Sequence, residues 1–86
     1  MDYLLGQIAL FPFERFPRDW AECNGRLLSV ESNIPLFTLI GNRFGGNGVQ
    51  VFALPDYTEL APPGSRYCIC IKGVFPTLRD TGDEPF

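Results

Sequence analysis

The fold is decided by one stretch of the chain, residues 17–28, which has the sequence Pro17-Arg18-Asp19-Trp20-Ala21-Glu22-Cys23-Asn24-Gly25-Arg26-Leu27-Leu28. Residues 20–23 and 26–30 have the short apolar pattern of strands. Between them, Asn24-Gly25 is the strongest two-residue hairpin signal, because both residue types tolerate positive φ. The stretch therefore predicts a β-hairpin with Asn24-Gly25 as its turn.

A short helix is predicted after this stretch. Ser32 or Asn33 can cap its start, Pro35 suits its first turn, and Gly41 fits the left-handed position after its end. The apolar body of the helix consists of Leu36, Phe37, Leu39 and Ile40. A helix of about two turns is not stable alone, so it must pack against the rest of the domain.

Three further strands are predicted on either side. They cover residues 3–11, ended by Pro12, residues 49–53, stopped by Pro55, and the apolar residues 66–74. A glycine-rich loop over residues 43–48 and a Pro-containing connection over residues 57–64 join them. The prediction is an α+β fold, a small, mainly antiparallel sheet with one short helix and long loops. It forms one domain over residues 1–79, followed by an acidic, flexible tail over residues 80–86.

The composition raises the question of what stabilises so short a chain. A domain of 86 residues has a marginal core, and three cysteines without any histidine provide no dense disulfide framework. The chain is nevertheless 45% apolar and contains eight phenylalanines. These side chains either fill the core or cover a surface that a neighbour buries, and the sequence leaves both open. Association is the expected external source of stability.

Charge and hydropathy limit the expected partners. The net charge of −3 arises from the last residues, which include Asp80, Asp83 and Glu84, while the bases are dispersed over a neutral body. Nucleic acid is therefore not an expected partner. No apolar run approaches the roughly 20 residues of a membrane span, and no basic start precedes an apolar stretch. We expect synthesis in the cytoplasm and no membrane insertion.

Taken together, five segments in order resemble the phage tail-collar domain. Residues 17–28 resemble its Pro-x-Gly-Trp-x-x-Cys-Asp-Gly-x-x-Leu segment, with Asp19 in place of glycine. The other matching segments are Gly6-Gln7-Ile8, Leu36-Phe37-Thr38-Leu39-Ile40-Gly41, Phe44-Gly45-Gly46-Asn47-Gly48 and Phe52-Ala53-Leu54-Pro55-Asp56. The closing segment, residues 67–76, is similar to that of the related proteins named microcystin-dependent. The resemblance covers roughly residues 5–77.

The resemblance implies a non-enzymatic structural or binding module of a phage tail fibre or phage-derived particle. It implies a homo-oligomer, with a trimer favoured over a dimer, located in the virion tail and partnered by other tail or fibre proteins. A cell-surface glycan or protein is a further partner in attachment. The family's long Gly-rich insertion after Asp56 is missing, so this chain is a minimal version. The alternative is a bacterial accessory protein of phage origin that stays in the cytoplasm and binds a protein or glycan.

Two groups of residues are candidates for function. A loop with aromatic and guanidinium groups is the expected contact surface and consists of Phe13, Glu14, Arg15, Phe16 and Arg18. Trp20 is expected to anchor the core. The residues of the structural motif are Trp20, Asn24, Gly25, Gly45, Gly46, Asn47, Gly48, Pro55 and Asp56.

No catalytic, cofactor or metal site is expected. Without histidine, acid–base chemistry would fall to carboxylates such as Asp56 and Glu59 or to cysteine, and Asp56 is better placed to cap a turn. Cys68 and Cys70 lie two apart on a strand and share one face. A bridge to Cys23, or a three-thiol metal site completed by a carboxylate, is conceivable. Packing as buried reduced thiols is the prediction.

Overall fold

The computed structural model describes residues 3–12 and 17–76 of the chain. In this part the elements are β1 (Ile8–Pro12), β2 (Trp20–Glu22), β3 (Leu27–Ser29), a 3-10 turn (Glu31–Asn33), α1 (Ile34–Ile40), β4 (Val51–Ala53) and β5 (Ser65–Cys70). The strands pair antiparallel throughout. The predicted α+β class, with antiparallel sheets, one short helix and long loops, is confirmed.

The larger sheet has three strands in the order β1-β5-β2. Ile8 lies opposite Ile69 in the first pair, and Trp20 lies opposite Cys70 in the second. The closing strand is therefore central, although it comes last in the chain. Its backbone groups pair with β1 on one side and with β2 on the other, so β5 does not need a neighbouring subunit to cover it.

The predicted hairpin at Asn24-Gly25 is wrong. β2 pairs with β5, whereas β3 pairs with β4 in a separate two-stranded sheet. The chain crosses between the sheets at this point: the Cys23 N–H donates to the Tyr67 carbonyl (2.8 Å), and the Cys23 carbonyl accepts from the Tyr57 N–H (2.8 Å). β2 and β3 have only three residues each, and both pair with partners that are distant in the sequence instead of with each other.

Gly25 still has the backbone conformation that its turn requires, with φ of 80°. A Cβ at this position would also lie 3.4 Å from the Asp56 carboxylate oxygen. We expect Gly25→Val to lower the free energy of unfolding by more than about 1 kcal/mol, because a β-branched residue is strained at positive φ. Thermal melting measures the effect, and an unchanged melting temperature would contradict the assignment.

The helix forms within one residue of its predicted limits. Asn33 occupies the N-cap position, but its side-chain amide donates to the Ser29 carbonyl (2.9 Å) instead of capping the helix. Pro35 lies in the first turn, as predicted. At the other end, the Gly41 N–H donates to the Phe37 carbonyl (2.7 Å). Gly41 has a positive φ of 59°, but its ψ of −152° lies outside the left-handed helical region that was predicted.

All five strands are shorter than predicted, three of them for an identifiable local reason. The first begins at Ile8 because residues 4–7 form a turn closed by the Gln7 N–H and the Leu4 carbonyl (3.0 Å). It includes Pro12, which is tolerated because β1 is an edge strand. The fourth begins at Val51 because Asn47 binds the backbone before it. The fifth ends at Cys70, where the chain bends.

The core lies on both sides of β5. On one side, the main core packs helix α1, strand β4 and the larger sheet together, with the buried side chains Leu5, Ala21, Cys23, Leu36, Phe52, Leu54 and Ile69. On the other side, Trp20 packs with Cys68 and Cys70. The alternation along β5 thus separates the two clusters, as its two-residue period predicts.

Candidate functional site

The predicted contact surface lies mostly outside the described residues, since Phe13, Glu14, Arg15 and Phe16 are not among them. Arg18, its remaining member, is exposed in the turn that leads into β2. This turn is fixed at both ends, because the Trp20 N–H donates to the Pro17 carbonyl (3.2 Å) and the Asp19 carbonyl accepts from the Ile71 N–H (2.9 Å).

The turn forms one wall of an open cleft of about 390 Å³. Trp20 lies at the base of this wall and is only 4% exposed, so it anchors the core as predicted. Tyr3 and Phe11 contact the indole edge-on, with ring centroids 5.1 Å and 5.0 Å away. Lys72 and Gly73 also line the cleft. No signal in the sequence connects Tyr3 or Lys72 with this surface.

Part of the structural motif forms a second cluster. Residues 24–25 and residues 55–56 are about 30 positions apart in the sequence, yet Asn24 and Asp56 form a β-bridge. The Gly25 N–H donates to the Pro55 carbonyl (3.2 Å). Asp56 also holds its own turn, because its carboxylate accepts from the Thr58 hydroxyl (2.8 Å) and from the Thr58 N–H (3.2 Å). These bonds lower the pKa of Asp56.

The glycine-rich loop packs against β4. The Asn47 side-chain oxygen accepts from three successive backbone N–H groups, those of Val49 (2.9 Å), Gln50 (2.9 Å) and Val51 (3.2 Å). The loop returns to the strand through the Ala53 N–H and the Gly45 carbonyl (3.1 Å). The asparagine thus uses the N–H groups that an anion would have needed. Trp20 lies on the far side of the larger sheet and is part of neither the cluster at Asn24 and Asp56 nor the glycine-rich loop.

The motif residues thus hold β3, β4 and the segments beside them together. This part of the chain is also the part that matches a protein family. The family model described as the phage tail collar domain matches residues 6–62. The chain belongs to this family. The match contains the helix and the first four strands of the collar domain but not β5, so the similarity to microcystin-dependent proteins stays a prediction. Neither the curated proteins nor the solved structures contain a match.

The three cysteines of the collar domain are buried and free, as predicted. Burial raises the pKa of the Cys23 thiol to about 12, with the nearby Cys68 as a smaller cause. The pKa values of Cys68 and Cys70 are raised as well, again mainly by burial. A thiol that stays protonated is a poor nucleophile. The cysteines therefore serve packing in this structure.

This burial predicts a loss of stability in alkaline solution. An unfolded cysteine ionises near its ordinary pKa of 9.0, whereas folded Cys23 stays protonated up to about 12. Above about pH 9 the unfolded chain therefore binds fewer protons than the folded one, and the free energy of unfolding falls as pH rises. Urea denaturation across this range measures the slope. We expect the decline to be smaller in the Cys23→Ala variant, and an equal decline would contradict the assignment to Cys23.

No cluster of metal-binding side chains is present among the described residues. Within the same part of the chain, no helix is both long and apolar enough to cross a bilayer.

Proposed function

We propose that this collar domain is a structural and binding module of a phage tail fibre or phage-derived particle. It is made in the cytoplasm and then assembles into the tail as a homo-oligomer, with a trimer favoured. It joins other tail or fibre proteins or takes part in attachment, and it performs no catalysis. The observation that carries the proposal is the family match over residues 6–62.

The surface of the larger sheet supports self-association. β1 is an edge strand, and its Ile8 and Leu10 are 40% and 44% exposed although they lie on the face of the main core. At the nearby parallel bridge, Leu4 and Val74 are also exposed. An uncovered edge with apolar side chains favours pairing with another chain. A second and third copy of this domain would cover such edges in a closed ring.

The chemistry of the described side chains supports a non-enzymatic role. The buried thiols have raised pKa values, and the Asp56 carboxylate is engaged by Thr58 in its own turn. Glu22 forms an ion pair with Arg66 at 2.8 Å. These candidate acids, bases and nucleophiles are thus occupied by packing or by structural bonds.

Particle fractionation tests the proposed function. Tailed particles from the producing strain are purified on a density gradient, and peptides of this chain are quantified by mass spectrometry in each fraction. We expect the chain to follow the tail proteins through the gradient. Recovery only with unassembled protein at the top of the gradient would contradict a role in the particle and favour an accessory protein.

A further inference from the structure

Trp20 lines this cleft and has an unsatisfied hydrogen-bond donor. Among the described residues, the indole Nε1 is the buried side-chain nitrogen that has no hydrogen-bond partner. Tyr3 and Phe11 hold the indole ring edge-on, so it does not turn freely toward solvent. A buried N–H without an acceptor costs free energy that a bound acceptor would recover. An oxygen atom that reaches the indole from the cleft would supply the missing bond.

Two cations line the same cleft. Trp20 lies opposite Cys70 in the register of β2 and β5, and Arg18 and Lys72 lie just beyond this pair, where the Ile71 N–H still donates to the Asp19 carbonyl (2.9 Å). Both side chains line the cleft, and neither forms an ion pair with another described residue. Two adjacent cations repel each other, and an anion between them removes this repulsion.

Asp19 limits which anion fits. Asp19 lines the same cleft, so a ligand there meets one acidic and two basic residues. Phosphate or acetate would satisfy the cations but be repelled by Asp19. A ligand that carries both a carboxylate and hydroxyl donors satisfies all three groups. A neutral sugar would leave the two cations unpaired.

We propose that this cleft binds an acidic saccharide. The sugar carboxylate lies between Arg18 and Lys72, a hydroxyl donates to Asp19, and a sugar oxygen accepts from the Trp20 indole. Charge-assisted hydrogen bonds of this kind are the strong ones in carboxylate recognition. The cleft volume of about 390 Å³ lies within the usual range for small-ligand sites. The inference rests on the attachment role within the proposed function and not on the oligomeric state.

Nuclear magnetic resonance tests the site directly, because the chain has one tryptophan and hence one indole N–H signal. The ¹⁵N-labelled protein is titrated with glucuronate, and glucose, acetate and a glutamate-rich peptide are titrated in parallel. We expect glucuronate to shift the indole signal saturably and more than the other probes do. No shift would overturn the proposal. Equal shifts with acetate would indicate anion binding only, and a shift with the peptide alone would assign the cleft to a protein.

Substitutions test which charged side chains bind the ligand. Arg18→Gln and Lys72→Gln should each weaken glucuronate binding by about tenfold, because each removes one charge-assisted contact. The matched control is Arg43→Gln, which removes an exposed cation outside the cleft and should leave binding unchanged. Equal weakening by the control would contradict a specific site. Sedimentation of the same samples reports assembly separately, so failure of binding is distinguished from failure of the proposed oligomer.

Discussion

Replacing Phe52 with alanine is expected to lower the free energy of unfolding by about 3–5 kcal/mol. Phe52 is fully buried in β4, and its ring lies 5.3 Å from that of Phe37 on the helix. It therefore connects the two-stranded sheet to α1 and to the rest of the main core. A domain of this length has a total stability of about 4–13 kcal/mol, so Phe52→Ala brings it close to unfolding.

Urea denaturation followed by Trp20 fluorescence measures this loss at a fixed protein concentration. The matched control is Phe44→Ala, since Phe44 is 42% exposed and leaves a much smaller cavity when it is truncated. We expect the control to retain most of the wild-type midpoint. Similar midpoints for the two variants would mean that Phe52 does not occupy the centre of the core.

The second large effect is expected at Gly46. Its φ is +88°, and a Cβ would lie 2.5 Å from the Val51 carbonyl oxygen and 2.6 Å from the Phe52 Cα. These neighbours are backbone atoms of β4, so they move only if the strand moves. Gly46→Ala combines a positive-φ penalty with overpacking, and we expect a loss of about 2–5 kcal/mol in the free energy of unfolding.

Gly41 provides the matched control for the backbone part of this effect. It also has a positive φ, +59°, but a Cβ there would have no neighbour within 4 Å. Gly41→Ala should therefore cost only the conformational penalty, about 1–2 kcal/mol. Equal melting temperatures of the two variants would contradict the close approach of the glycine-rich loop to β4.

Local signals in the sequence predicted the elements well. The helix limits follow from Pro35 and Gly41, because proline fixes φ at a helical value in the first turn and glycine tolerates the positive φ after the last turn. The pairing of the strands was not predicted in the same way. β2 and β3 have three residues each, too few to fix a partner, and their partners lie more than 20 positions away along the chain. Gly25 has a positive φ, as in a hairpin turn, but Asn24-Gly25 connects two different sheets.

The residues of the site were likewise predicted from local motifs, whereas their contacts in the fold were not. The family motif brought residues 24–25 and 55–56 to attention, although their contact depends on how the sheets are placed. Lys72 has no sequence signal of its own, because it reaches the same cleft as Arg18 only through the pairing of β2 with β5.

The closing strand is central and needs no neighbour, whereas β1 is an edge strand with exposed apolar side chains. Self-association is therefore expected at β1, in line with the collar family. If copies of the chain pair at this edge, the double substitution Ile8→Lys and Leu10→Lys should dissociate the oligomer while the core stays folded. Leu27→Lys is the matched control, because Leu27 is 57% exposed on the other sheet.

Analytical ultracentrifugation of the unmodified chain at micromolar concentration tests whether the collar domain self-associates. We expect a stable homo-oligomer with a sedimenting mass of three chains. A mass of two chains would contradict the trimer while keeping the association. A single stable monomer would contradict the claim that this collar domain works as a homo-oligomer.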